Sequence, residues 1–171
     1  MQRIMTVVVC AMACVVTAAE PTTIKVAGVT ASAAESKAAG GVGDFPAEKT
    51  IDGVLTPASS WRAEVKDAKA GAWIQYDLGS AKAVGAVRIM FFSGESRSYR
   101  FDLELSEDGQ KWTTVFSGQS SGKDKGFETF KAAGTARYVR IKGFGNTSQK
   151  FPHWVNIVET EIVGGQEQPK P

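Results

Sequence analysis

Residues 97–116 constrain this chain more than any other stretch. Phe101, Leu103 and Leu105 alternate with Asp102, Glu104 and Ser106, the two-residue period of a strand with one buried face and one wet face. A second apolar run at 112–116 follows at once. Between the two, Asp108-Gly109 supplies turn chemistry, because glycine tolerates positive φ and aspartate hydrogen-bonds back to its own backbone. The pattern predicts a β-hairpin. Trp112 and Val115 cannot both face inward in regular alternation, so a bulge is expected in the second strand.

The remaining strand signals fall at 24–29, 72–78, 84–92, 126–130, 136–142 and 155–163. Turns such as Asp77-Leu78-Gly79-Ser80 and Ala133-Gly134-Thr135 separate them at short intervals. No long 3.6-residue apolar period occurs after the N-terminal segment, so an all-β antiparallel β-sandwich is expected rather than an α/β fold. Residues 30–46 read as loop or short irregular helix, and 62–72 as charged loop. Trp61, Trp73 and Trp112 are expected in the core. Arg140 and Lys142 alternate with Val139 and Ile141 and are expected on a solvated outer face. With 171 residues the chain suits one domain with an ordinary core, and no repeat or linker points to a second.

Arg3, the apolar run 7–16 and Thr17-Ala18-Ala19 read as a signal peptide over residues 1–19, too short in its apolar part to span a bilayer. Cleavage there removes Cys10 and Cys14, leaving a secreted, cysteine-free domain at 20–164 and a disordered tail at 165–171; the expected location is extracellular or periplasmic. The alternative is a lipoprotein anchored through Cys14. The chain has 20 basic and 18 acidic residues; without Arg3 that leaves 20 − 1 = 19 against 18. Such a balance argues against a nucleic-acid binder driven by phosphate contacts.

The hairpin motif Tyr-x-Phe-Asp-Leu-x-Leu-Ser-x-Asp-Gly-x-x-Trp-Thr-x-Val is followed by Ala136-Arg137-Tyr138-Val139-Arg140-Ile141 and Glu159-Thr160-Glu161-Ile162. In that order the three resemble a discoidin domain, the coagulation factor V/VIII type C domain. Within that superfamily the chain is most similar to family-32 carbohydrate-binding modules of bacterial secreted polysaccharide-degrading enzymes. The resemblance runs from about residue 24 to residue 164 and implies a discoidin-like jelly roll. It also implies a structural calcium ion (Ca2+) held by a carbonyl of Lys49, the carboxylates of Asp52 and Glu159, and Thr56. Val54 departs from the family pattern, which often has Asp or Asn there. The residues alone admit another account, in which Asp52 caps the Gly53 turn and Glu159 pairs with an arginine.

Carbohydrate sites combine aromatic faces with planar polar groups in loops at one end of a rigid sandwich. Three loops qualify, at 60–64, 93–100 and 143–154, and the family uses equivalent loops. They carry Arg62, Arg97, Tyr99, Arg100, Asn146, Lys150, His153 and Trp154, with Phe151 beside them. Tyr99 is open to a core role, and Trp154 is either a rim aromatic or a lid on the core. Arg62, Arg97, Arg100 and Lys150 outnumber Glu64 and Glu95, and arginine grips carboxylate with a bidentate fork. An anionic polysaccharide is therefore expected, uronate-containing and alginate-like, as the resemblance to modules attached to polyuronate lyases also implies. An enzyme would have to use His153, the lone histidine, with Tyr99, and none of the usual catalytic signatures is present. The expectation is a non-catalytic binding module of unspecified oligomeric state. Its alternative is an adhesion or assembly domain that docks on a protein or lipid surface through the same loops.

Overall fold

The computed structural model describes residues 22–35 and 43–165. The leader at 1–19, both cysteines and the tail beyond Gly165 lie outside the described residues. Gly165 itself is tied down, its N–H donating to the Ala83 carbonyl at 2.9 Å.

Eight strands form in chain order: β1 (Thr23–Ile24), β2 (Gly28–Ala31), β3 (Trp61–Glu64), β4 (Ala72–Phe91), β5 (Tyr99–Ser106), β6 (Thr113–Gln119), β7 (Phe127–Asn146) and β8 (Trp154–Gly164). Among the described residues the helical content is a 3-10 turn at Ala47–Thr50. All pairings are antiparallel, in the order β1-β8-β4-β7-β5-β6, with β2 added on β4 and β3 on β8. The long strands make the sandwich. The first part of β4 pairs with β2 and with the second part of β7, whereas its second part pairs with the first part of β7 and with β8.

Strand signals at 72–78 and 84–92 are thus two limbs of one strand. The intended turn became a register shift between Asp77 and Lys82, where Gly79 takes φ 78° and donates its N–H to Asp77 Oδ1 at 2.8 Å. Conversely, the single strand expected at 24–29 is split between β1 and β2. Residues 61–64 are strand rather than the start of a charged loop, because Trp61 lies opposite Ile157 of β8 and its neighbours continue that ladder.

The hairpin forms as β5 and β6. Leu103 lies opposite Phe116 and Glu104 opposite Thr114, which leaves Val115 as the extra residue of a bulge. Asp108 Oδ1 accepts the N–H groups of Lys111 and Gln110, both at 2.8 Å, and these bonds hold its carboxyl below the usual carboxylate range.

Trp61 is fully buried, and its Nε1–H donates to the Ala33 carbonyl at 2.8 Å. Trp73 and Trp112, expected inside, are instead half-buried on the outer face, with the Arg140 guanidinium 4.7 Å and 3.6 Å from their ring centres. The period of two explains it: Gln75 of β4 and Glu104 of β5 both lie opposite Arg140 of β7, on the face turned away from the core. Arg140 Nη2 donates to Gln75 Oε1 at 2.9 Å, and Nη1 sits 3.5 Å from Glu104 Oε2. Arg140 does face outward, but it is not simply solvated. A weakly hydrated, planar cation prefers the slot between two indoles.

Buried Tyr76 ties three elements together. Its hydroxyl bonds Thr160 Oγ1 of β8 at 2.8 Å and Thr50 Oγ1 at 3.1 Å, while Thr50 Oγ1 lies 2.8 Å from the Ala47 carbonyl it donates to. Burial pushes the phenol well above its ordinary pKa, so it remains a neutral donor. Tyr76→Phe should cost about 1 kcal/mol in urea unfolding, with an unchanged m-value. Unaltered stability would mean that the two threonines satisfy each other.

Candidate functional site

At the end of the sandwich where β8 begins, a cleft of about 440 Å³ opens. Arg62 of β3 and Asn156 of β8 lie directly opposite each other in the ladder and contribute its inner wall together with Glu35. Phe92 follows directly on β4, Arg97 lies in the loop after it and Tyr99 opens β5. Phe151 comes from the loop before β8 and Trp154 opens that strand.

The two loops are rigidly joined. Ser98 N–H donates to Thr147 Oγ1 and Thr147 N–H to the Ser98 carbonyl, each at 3.0 Å. Asn146 shapes the second loop from within: its Nδ2 donates to the carbonyls of Phe151 at 2.9 Å and Trp154 at 2.7 Å, and its Oδ1 accepts the Ser148 N–H at 2.7 Å. Gly145 is required just before it, because at φ 100° a Cβ would stand 2.2 Å from the Pro152 carbonyl oxygen.

The electrostatics are uneven. Arg62 Nη1 pairs with Glu35 Oε2 at 3.1 Å, and its guanidinium rests 4.0 Å from the Phe45 ring centre and 5.8 Å from that of Phe92. Arg97 lies 5.4 Å from the Phe92 ring centre and makes no ion pair among the described residues. The cleft therefore carries an uncompensated positive charge beside aromatic surface. Tyr99 is buried against Phe91, with ring centres 4.8 Å apart, and its hydroxyl donates to the Phe92 carbonyl at 2.7 Å. Burial, against the opposing charge of Arg97, pushes its pKa up to about 12. Four buried side-chain polar atoms lack a partner among the described residues, and two of them, Arg62 Nε and Asn156 Oδ1, belong to this wall.

Of the residues singled out from sequence, Arg62, Arg97, Tyr99 and Trp154 are brought together here. Tyr99 serves core and cleft at once, and Trp154 is half-buried at the rim. Asn146 is nearby but fully committed to the loop. Arg100 alternates with Tyr99 onto the other face, where its Nη2 donates to the Phe144 carbonyl at 3.1 Å. Lys150 and His153 are exposed outside the lining; Lys150 Nζ is 5.3 Å from the Phe151 ring centre, and the His153 carbonyl accepts the Val65 N–H at 2.7 Å. Glu35, Phe92 and Asn156 were not singled out. Glu35 is the lone charge in residues 26–36, and Asn156 interrupts the apolar run 154–158, so both left a faint mark in the sequence.

Asp52 and Glu159 are also brought near each other, the turn after Asp52 reaching Glu159 across 106 positions of chain. Gly53 N–H donates to Glu159 Oε2 at 3.2 Å, while Asp52 Oδ1 accepts the Val54 N–H at 2.8 Å and Oδ2 the Ser59 hydroxyl at 2.5 Å. Lys49 Nζ lies 3.3 Å from the Ala58 carbonyl, and the Thr56 carbonyl accepts the Ser59 N–H at 3.0 Å. Glu159 is only 6% exposed. Burial first, then the charges of Asp52 and Glu161, push its carboxyl up to about 7. Among the described residues no three His, Cys, Asp or Glu side chains gather into a metal nest, so any cation here would rely on two carboxylates plus hydroxyl and carbonyl oxygens. Such an oxygen-only donor set suits calcium.

The F5/8 type C domain family matches residues 29–157. Among solved structures, the CBM32 of AlyQ in complex with 4,5-unsaturated mannuronic acid is 37% identical, covering 82% of this chain and 97% of that one, with a TM-score of 0.70. A truncated AlyQ with CBM32 and alginate lyase domains is 36% identical over 89% of this chain and 36% of that one, with a TM-score of 0.74. Chitosan-binding module 1 from a chitosanase/glucanase of Paenibacillus sp. IK-5 is 27% identical over 80% and 94%, with a TM-score of 0.60. Among curated proteins, BTB/POZ domain-containing protein 9 of Homo sapiens is 30% identical over 82 residues, and the chain spans 13% of that protein's length.

Proposed function

This chain belongs to the F5/8 type C (discoidin) family, and from that premise we propose that it is a secreted, non-catalytic carbohydrate-binding module for an acidic, uronate-containing polysaccharide. Its fold is that of family-32 carbohydrate-binding modules. The observation that carries the acidic preference is Arg97, a cation without an ion-pair partner among the described residues, seated beside Phe92 in a cleft walled by Trp154 and Phe151. Aromatic faces suit the C–H surfaces of a sugar ring, and a guanidinium without an ion-pair partner suits its carboxylate. The AlyQ module in complex with 4,5-unsaturated mannuronic acid, similar over most of both chains, supports the same reading.

The leader-like segment 1–19 supports export to an extracellular or periplasmic location. No helix among the described residues is long and apolar enough to cross a membrane. Docking on a protein or lipid surface is less well served, since Phe151 is the one large apolar side chain on the cleft loops that is classed as exposed among the described residues. We also propose a structural calcium ion between the turn after Thr50 and β8, with Asp52 and Glu159 as carboxylate ligands and carbonyl or hydroxyl oxygens of Lys49 and Thr56 completing the set.

Titration with alginate oligomers against neutral oligomers of equal length tests the ligand class. Binding of the acidic chains is expected in the micromolar to millimolar range, or about −4 to −8 kcal/mol. It should weaken with salt, because exposed charges are screened over about 10 Å at 0.1 M. Arg97→Ala should weaken it about tenfold with the melting temperature unchanged. Equal affinity for neutral and acidic chains, or an inert Arg97→Ala, would overturn the acidic ligand.

A further inference from the structure

Arg62 Nε is a buried donor and Asn156 Oδ1 a buried acceptor, each without a partner among the described residues, and the two residues lie directly opposite each other in the wall of the cleft. Asn156 as a whole is 5% exposed. Leaving such groups unpaired is costly, so a wall that keeps both is matched to something that arrives from outside. The Arg62 side chain is not free to search for another partner, since Glu35 holds one end of the guanidinium and Phe45 one face.

The chemistry of the two atoms narrows what can satisfy them. A carboxylate only accepts, so it would answer Arg62 Nε and leave Asn156 Oδ1 unpaired. An ammonium only donates, with the opposite defect. A hydroxyl accepts from one and donates to the other, and its size suits atoms that lie just beneath the surface. Resting on the reading of the cleft as a uronate site, we propose that Arg62 and Asn156 form a hydroxyl-reading pair beside the carboxylate-binding Arg97, and that the module consequently discriminates against polyuronates whose ring hydroxyls are O-acetylated. An acetyl ester removes the donated hydrogen and adds bulk against the wall. The specificity is then for the unmodified sugar, set by neutral polar groups rather than by charge.

The experiment compares mannuronate oligomers with the same oligomers chemically O-acetylated at their ring hydroxyls, titrated into the whole protein at fixed salt. Carboxylate charge is identical in the two. The acetylated oligomers should bind about tenfold more weakly or worse, the penalty of leaving buried polar groups unanswered. In Asn156→Ala the two affinities should converge to within about twofold, through weaker binding of the free oligomers. Should Asn156→Ala fail to fold, the wild-type comparison decides alone. Equal binding of both oligomers to the wild type would overturn the hydroxyl-reading pair and leave the uronate reading intact. Binding of neither oligomer would remove the uronate reading, and this inference with it.

Discussion

Arg140→Ala should lower stability by about 3 kcal/mol, a fall of roughly 10 °C in melting temperature for a domain of this size. The loss is compound. Two half-buried indoles, Trp73 and Trp112, would face each other across a gap, and Glu104 would keep its charge with the cation gone. Burial already pushes the Arg140 pKa down, with Glu104 opposing that shift, so each depends on the other. Arg140→Lys should recover only part of the loss, because an ammonium keeps the charge without the stacking plane. Thermal melts of the three proteins decide it. A drop of less than about 1 kcal/mol for the alanine variant would show the slot to be ordinary surface.

Removal of the proposed calcium ion should produce the second large change. At free calcium one hundred times its dissociation constant, mass action predicts a loss of about 2.7 kcal/mol on chelation. Glu159 gives the effect a pH signature. Its folded pKa, raised from 4.5 to about 7, makes its contribution to the metal-free protein fully present below about 4.5 and lost as pH rises through about 7. Calcium needs the ionised carboxylate, so its stabilising increment should grow over the same window. Glu159→Gln should remove both the pH trend and the calcium response, and should match or exceed the metal-free wild type at pH 8. Identical melts with chelator and with excess calcium at pH 8 would rule the ion out.

What the sequence made legible was whatever the period of two could carry. Phe101, Leu103 and Leu105 fixed the orientation of β5, and Asp108-Gly109 its turn, because these are local rules. The tryptophans misled because hydrophobicity does not encode which side of a strand a ring takes. Trp73 follows from the buried register of Ala72 and Ile74, and Trp112 from a loop position beside Arg140. Arg62, Arg97, Tyr99 and Trp154 could be gathered from their loops. Asn156 could not, since its part in the wall depends on β3 being laid beside β8, a pairing between residues 94 positions apart for which no short stretch of sequence gives a sign.

That same last strand has a geometric consequence. β8 starts at the cleft with Trp154 and ends beside β1, where Ile162 and Val163 face Ile24 and Thr23. Its 11 residues span roughly 35 Å at strand rise, so both ends of the domain emerge side by side at the pole opposite the mouth. A polymer seated in the cleft would be held at arm's length from whatever is joined at that pole. A pull applied at that pole would load the sandwich along β8 rather than prying the mouth apart.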